Sequence, residues 1–356
     1  MNRRRLLKLL GLPALAVLGG AAYVQARSSR NPYYQGPVTD HFDGVRFSNP
    51  PGGPRMKPFG EFLRWQVGRE QAEWPEAYPS PHRDKPPARS EELRVVLVGH
   101  ASFLIQVAGI NILVDPVWSE RASPFAFVGP QRVNAPGIAF DDLPPIDAVL
   151  VTHNHYDHLD RATISRLWQA HRPRIIAPLG NDAIIRDFDD GIAAEAYDWG
   201  RAVVLSDRVT VHLEPAYHWS ARGMTDRRMA LWCAYLLTTP AGVLYHIGDT
   251  GYGDGAIFRA VRERYGAPRL ALLPIGAYEP RWFMQPQHMN PDEAVRVARD
   301  CGAQQALGHH WGTFQLTDEG LERPLQELSA ALAVQAVPAA RFRPLRPGEV
   351  WKAAPV

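Results

Sequence analysis

Only two cysteines occur in 356 residues, and so small a number excludes a disulfide framework. Cys233 lies inside the apolar run 231–237 and reads as core, and neither it nor Cys301 stands near a cluster of metal-ligand types. No thiolate metal site is indicated, and the redox compartment stays open. Charge of one sign is missing as well. The formal net charge is +2, and no dense Lys/Arg run occurs beyond the N-terminus, so the chain carries no electrostatic footprint for nucleic acid. An unbroken membrane span is lacking too: Pro13, Gly19 and Gly20 interrupt the apolar stretch 9–24, which is short for a full crossing. No linker divides residues 94–356, and identity between the two halves is too faint to mark a repeat.

What is present is an ordinary globular composition, 46% hydrophobic and 21% charged, in a chain long enough for one large domain or two smaller ones. Arg3-Arg4-Arg5-Leu6-Leu7-Lys8 precede the apolar stretch, and Gln25-Ala26-Arg27 follow it. That layout is a positive n-region, an h-region and a small-residue cleavage site at Val24-x-Ala26. The paired arginines also resemble a bacterial twin-arginine export signal, without its usual Ser and Phe. Residues 1–26 are therefore expected to be a signal peptide or a retained anchor. The rest of the chain would then lie in the bacterial cell envelope, periplasmic or held at the inner membrane facing the periplasm. Many of the 32 prolines fall between residues 31 and 87, so 27–92 is expected to be an irregular N-terminal extension. Its aromatics, among them Tyr33, Phe42, Phe47, Phe62, Trp65 and Trp74, call for packing on the main domain, 93–356, rather than disorder.

Apolar runs at 93–99, 103–107 and 110–115 read as strands, the last two joined by Ala108-Gly109. Another strand covers 146–151, then a helix 161–171 and a strand 174–177. Runs 203–205 and 209–213 form a hairpin, as do 231–238 and 243–247 across Pro240-Ala241-Gly242. Residues 256–265 and 291–300 read as helices, the second with Pro at its first turn, and a strand lies at 270–275. A last helix falls within 316–334, opened by Thr317. Strands followed by helices in each half predict an α/β fold with two sheets face to face and helices outside.

The most informative segment is His153-Asn154-His155-Tyr156-Asp157-His158, directly after the strand at 146–151. Imidazole nitrogen and carboxylate oxygen are the ligands zinc takes in hydrolytic sites, which also keep a position open for water. In an extended segment His153, His155 and Asp157 point one way and His158 another. One tetrahedral metal can hardly gather all four, but two neighbouring metals can share them. Further ligand types stand at later strand ends: His218, Asp249 within Gly248-Asp249-Thr250-Gly251, His288, and His310 before Trp311-Gly312. Each alone suits a structural histidine or a turn. Their joint occurrence with the histidine loop points to metal ligands.

These blocks resemble the metallo-β-lactamase superfamily, and within it the branch of N-acyl-phosphatidylethanolamine-hydrolysing phospholipase D. The similarity covers roughly 93–328. It rests on residues 152–160, on Gly248-Asp249-Thr250-Gly251-Tyr252 and on Gly276-Ala277-Tyr278-Glu279-Pro280-Arg281-Trp282-Phe283-Met284. Gln287-His288, His310-Trp311-Gly312-Thr313-Phe314, Gly99-His100-Ala101-Ser102 and Asp115-Pro116 add to it, while Phe47-Ser48-Asn49-Pro50 matches more loosely. The exported or anchored N-terminus and Glu322-Arg323-Pro324 depart from the branch's pattern. The resemblance implies a four-layer αββα sandwich and two zinc ions. His153, His155 and His218 would hold one ion, Asp157, His158 and His310 the other, and Asp249 would bridge both. It further implies a phosphodiesterase that cleaves N-acylphosphatidylethanolamine-like phospholipids to N-acylethanolamine and phosphatidic acid through a metal-bridging hydroxide, with a membrane surface as partner.

Asp157, Asp249 and His288 are the catalytic candidates on this reading. His288 would bind phosphate or protonate the leaving group, with loop packing as its structural alternative. Tyr278 and Arg281 are candidate phosphate contacts, Arg281 through its planar donor fork unless it forms a structural ion pair. His100 would orient a ligand or stabilise its turn. Trp282-Phe283-Met284 would line an acyl groove or belong to the core. His246 and His309 are expected to face away from the ligands. Two rivals remain: the same centre acting on a lactone, a β-lactam or a soluble phosphodiester, and a non-enzymatic envelope protein that only binds metal or lipid.

Overall fold

The computed structural model describes residues 29–353 except Gly52, Met56 and Asp190. The expected signal peptide or anchor, 1–26, lies outside the described residues. Among the described residues no helix is long and apolar enough to cross a membrane.

Two seven-stranded mixed sheets face each other. The first contains β1 (Arg94–Gly99), β2 (Ser102–Val107), β3 (Ile110–Val114), β4 (Ala148–Leu150), β5 (Arg174–Pro178) and β6 (Ala194–Tyr197), with β14 (Val350–Lys352) added beside β1. The second runs in chain order through β7 (Ala202–Val204), β8 (Thr210–Glu214), β9 (Ala234–Thr239), β10 (Gly242–His246), β11 (Leu270–Pro274), β12 (Gln305–His309) and β13 (Phe342–Pro344). Each sheet has antiparallel hairpins on one side and three parallel pairings on the other. The two halves therefore share a pairing pattern that their sequences do not announce.

Alternation along each strand builds the layers. Val95, Leu97, Phe103 and Ile105 of the first sheet pack with Leu213, Tyr235, Leu237 and Leu272 of the second between the sheets. The intervening Val96, Val98 and Leu104 face outward, beneath α2 (Arg161–His171) and α3 (Asn181–Arg186). The outer face of the second sheet carries α4 (Ala256–Tyr265), α6 (Pro291–Asp300) and α7 (Arg323–Val334). This is the four-layer αββα sandwich. Ala108 (φ 51) and Gly109 (φ 79) make the two-residue left-handed turn that joins β2 to β3. At α6 a capping box between Asn290 and Glu293 precedes Pro291, so local chemistry sets the helix start.

Several expectations need correction. The extension contains a helix, α1 (Phe59–Val67), whose Trp65 stacks on Phe283 of the short α5 (Arg281–Met284) at 5.2 Å. That contact, with Met284, consumes two of the three residues considered for an acyl groove; only Trp282 remains exposed. The last helix starts at Arg323, not Thr317. Thr317 Oγ1 donates to Glu319, and Pro324 occupies the first turn. α3, β6, β13 and β14 were not foreseen, being short and partly polar or Pro-containing. Phe42 and Phe47 of the extension are buried against Ala216, Leu231 and Trp232.

Candidate metal centre

The anticipated ligands hang from one rim of the sandwich. β1, β3 and β4 run the same way in the first sheet, as do β8, β10 and β12 in the second. His100 follows β1, Asp115 follows β3 and the histidine loop follows β4; His218, Asp249 and His310 follow β8, β10 and β12. Carboxyl ends of co-directional strands are where open α/β sheets place their sites. The exits are sharp: His100 (φ 55), Asp115 (φ 44) and His310 (φ 65) adopt left-handed backbone, an uncommon conformation that clusters at functional sites. At Gly248 (φ 67) a Cβ would come within 2.9 Å of Thr152 Cγ2, so only glycine lets Asp249 approach the loop.

The loop is not extended. His158 N and Leu159 N both donate to His155 O, at 3.0 and 2.8 Å, so the chain turns after His155. The grouping read from an extended strand is corrected accordingly: Asp157 goes with His158, not with His153 and His155. In one set, His155 Nδ1 lies 2.9 Å from His153 Nε2 and 3.2 Å from His218 Nε2, and Asp249 Oδ2 lies 3.9 and 3.8 Å from His153 and His218. In the other, His158 Nε2, His310 Nε2 and Asp157 Oδ2 lie 3.2 to 3.5 Å apart. Asp249 closes that set too, with Oδ2 3.3 Å from His158 and Oδ1 3.1 Å from His310. Ligands of a tetrahedral ion with bonds near 2.0–2.1 Å stand roughly 3.3 Å apart, so both sets have the right size.

The outward-facing Nδ1 contacts fix which ring atoms of three of these histidines point inward. Thr152 Oγ1 gives its one proton to Asp115 Oδ2 at 2.6 Å, so it can only accept from His153 Nδ1 at 3.0 Å. His158 Nδ1 faces Asp115 Oδ2 at 2.7 Å, and His218 Nδ1 faces the Gln287 carbonyl at 3.0 Å. With protons on these Nδ1 atoms, the Nε2 atoms of His153, His158 and His218 are the ones left aimed inward, towards carboxylate oxygens. A divalent cation in each set satisfies that arrangement, and the outer partners fix each tautomer as metal sites require. The donor set fits the metals that the sequence implied.

Electrostatics of the metal-free protein agree. Burial pushes His153 and His218 well below the ordinary histidine value. Burial opposes it, but the His310 and His158 charges hold Asp249 well below the usual carboxylate range. Burial likewise acts against protonation of His310, yet Asp249 and Asp157 raise it to about 9. A proton on His310 thus stands where a metal would supply the charge.

His100 is placed to orient a candidate ligand. Its Nε2 lies 3.0 Å from Asp157 Oδ2, and its backbone carbonyl accepts the His310 amide at 2.9 Å. His288 joins the cluster, with Nδ1 3.8 Å from Asp249 Oδ2. His246 and His309 stack with each other in the core at 5.3 Å, as expected. Tyr278 and Arg281 are corrected as phosphate contacts. The Tyr278 side chain is wholly buried, and its hydroxyl has no hydrogen-bond partner among the described residues. Arg281 spends its fork on the His288 carbonyl at 2.9 Å and on Glu293 at 2.7 Å. Sequence reasoning quoted Asp115 only within a matching dipeptide, yet it holds both Thr152 and His158; its place at a strand end was the available signal. Arg222 was missed entirely. It donates to the Asn154 and Leu159 carbonyls at 2.9 and 2.8 Å and stacks on Tyr156 at 4.0 Å, bracing the histidine loop.

Fold and donor set together define a metal-dependent hydrolase. The family described as a beta-lactamase superfamily domain matches residues 110–311. The chain belongs to the metallo-β-lactamase superfamily, in the branch like N-acyl-phosphatidylethanolamine-hydrolysing phospholipase D. It is 36% identical over 269 residues to N-acyl-phosphatidylethanolamine-hydrolyzing phospholipase D 1 of Caenorhabditis elegans, covering 72% of this chain and 74% of that one. It is 34% identical over 328 residues to an uncharacterised protein of Mycobacterium tuberculosis, covering 90% and 85%. An isothiocyanate hydrolase from Delia radicum gut bacteria, 19% identical, shares the fold with a TM-score of 0.58 over 73% of this chain and all of that one.

Proposed function

We propose that this centre is a dinuclear zinc phosphodiesterase that cleaves N-acylphosphatidylethanolamine-like phospholipids to N-acylethanolamine and phosphatidic acid. The observation that carries the two-metal part is Asp249, whose carboxylate is common to both donor sets. His153, His155 and His218 would hold one ion and Asp157, His158 and His310 the other. Bound there, two zinc ions would supply a water acidified to near neutrality and would neutralise charge growing on the phosphoryl oxygens. The lipid part is supported by the activity named for the Caenorhabditis elegans relative. Tyr156 of the histidine loop also lines a cleft of about 730 Å³, together with Phe125, Phe188 and three arginines, Arg121, Arg161 and Arg222.

His100 holds Asp157, and Asp115 holds His158, so these ligands keep their aim while substrate enters. His288 stands beside Asp249 with its value lowered to about 4 by burial, which the Asp249 charge only partly offsets. Cations beside it would lower it further, so it serves as a neutral hydrogen-bonding group for a phosphoryl oxygen and not as a stored acid. Hydrolysis breaks the phosphorus–oxygen bond to the ethanolamine side. The water oxygen remains on phosphatidic acid and its proton ends on the N-acylethanolamine hydroxyl. An envelope location, which the Arg-rich apolar N-terminus supports, would bring the protein to this substrate.

The test is mass spectrometry of products from zinc-loaded protein given N-acylphosphatidylethanolamine in detergent, with Asp249→Asn as control. Release of N-acylethanolamine with phosphatidic acid, lost in the variant along with bound zinc, is the expected result. Inert lipid alongside rapid turnover of a lactone would replace the substrate while leaving the metal centre in place.

A further inference from the structure

A second charged site lies where the extension meets the sandwich. A cleft of about 380 Å³ is lined by Arg46, Asn49, Arg55, Lys57, Arg227 and Arg228 with two prolines, and among the described residues no carboxylate lines it. Five cations around one small cleft repel each other. Burial, and then the neighbouring guanidinium of Arg228, pull Arg227 below the usual arginine value. Burial and then Arg46 do the same to Arg228, against a weaker pull from Asp43. Asp43 itself is turned to the backbone amides of Val45 and Arg46, at 2.8 and 2.6 Å, and does not line the cleft. Arg227 Nε is buried without an acceptor among the described residues.

The cleft is joined to the metal centre by two contacts. Asn49 Oδ1 accepts the backbone N–H of the ligand His218 at 3.0 Å. Arg227 lies 4.5 Å over the ring of Trp219, whose own ring meets that of the ligand His155 at 4.6 Å. We propose that this cleft is a phosphate-recognition site separate from the metal centre. It takes the phosphate group of an anionic phospholipid beside the substrate, or free phosphate. Arginine forks match phosphate oxygens bidentately, and an anion relieves the mutual repulsion of the lining. The inference does not depend on the reaction proposed above, because it concerns binding at residues that hold no metal.

The experiment measures binding to the full-length, zinc-loaded protein. One arm titrates inorganic phosphate by calorimetry. The other sediments phosphatidylcholine vesicles with and without phosphatidic acid. Asp249→Asn removes the metal centre's own affinity for phosphate, and Arg186→Gln, on a distant helix, controls for general charge. The double variant Arg55→Gln/Lys57→Gln and the single Arg228→Gln are expected to bind about tenfold more weakly, while Asp249→Asn retains the cleft component. Loss in both arms assigns recognition to the phosphate group from either source, and loss with vesicles alone assigns it to the lipid headgroup. Unchanged binding by both cleft variants, or disappearance of all binding with Asp249→Asn, would overturn the proposal.

Discussion

Asp115 offers no atom to either donor set, yet two of the inward-facing lone pairs depend on it. It accepts from the Thr152 amide at 2.7 Å, from Thr152 Oγ1 and from His158 Nδ1, and through Thr152 it fixes His153. An amide in its place lacks one acceptor oxygen. Asp115→Asn is expected to weaken metal binding roughly 10- to 100-fold while the protein still folds, as a competition titration with a chromophoric chelator would show. His310 makes a pH-dependent prediction. In the metal-free protein its value is raised to about 9, because Asp249 and Asp157 outweigh the opposing effect of burial. Below that pH the ring carries a proton that a metal must displace, so apparent affinity rises with pH between 6 and 9. Calorimetry at pH 7 in buffers of different ionisation enthalpy should detect proton release; none would contradict a protonated His310.

The elements that frame the centre rely on a few buried polar anchors. Glu319, in the loop after β12, accepts the backbone N–H groups of Ala277 (2.6 Å) and Glu279 (3.1 Å) and the Thr317 hydroxyl (2.7 Å). It holds the left-handed Ala277 (φ 61) and hence the loop that leads from β11 to α5. Glu319→Ala strands two buried amides, each costing about 1–3 kcal/mol. The variant is expected to lose about 3 kcal/mol in urea unfolding, and a loss below 1 kcal/mol would mean that water substitutes for the carboxylate. The same polar anchoring explains which elements could be read from sequence. Helices α2, α4 and α6 matched their expected bounds because periodic apolar residues and end signals such as Asn290-Pro291 are local. α1 was missed because its core contact is one ring, Trp65, on a distant Phe283. β13 and β14 are three-residue edge strands that exist only because a sheet is there to receive them.

For the whole molecule, the centre is a staple between sheets. The histidine loop comes from the first sheet, and His218, Asp249 and His310 come from the second. Metal held only by the folded chain stabilises it by about 4 kcal/mol at a thousandfold excess over Kd. Chelation should therefore lower the Tm by roughly 5 °C, at about 1.3 °C per kcal/mol for a chain of this length, and re-addition of zinc should restore it; calorimetry with and without chelator checks this. The sequence by itself determined the fold class, the strand-end positions of seven candidate metal ligands and their chemical type, because apolar periodicity and ligand spacing are local properties. Only the tertiary structure decided the rest. It turned the loop after His155, which puts Asp157 beside His158 as the resemblance implied, enlisted Asp115 and Arg222, and withdrew Tyr278 and Arg281 from the substrate side. It also gathered Arg46, Arg55, Lys57, Arg227 and Arg228 around one cleft. Those outcomes depend on contacts between residues far apart in the chain, and no local pattern encodes which side chains the packing of two sheets will bring within hydrogen-bonding distance.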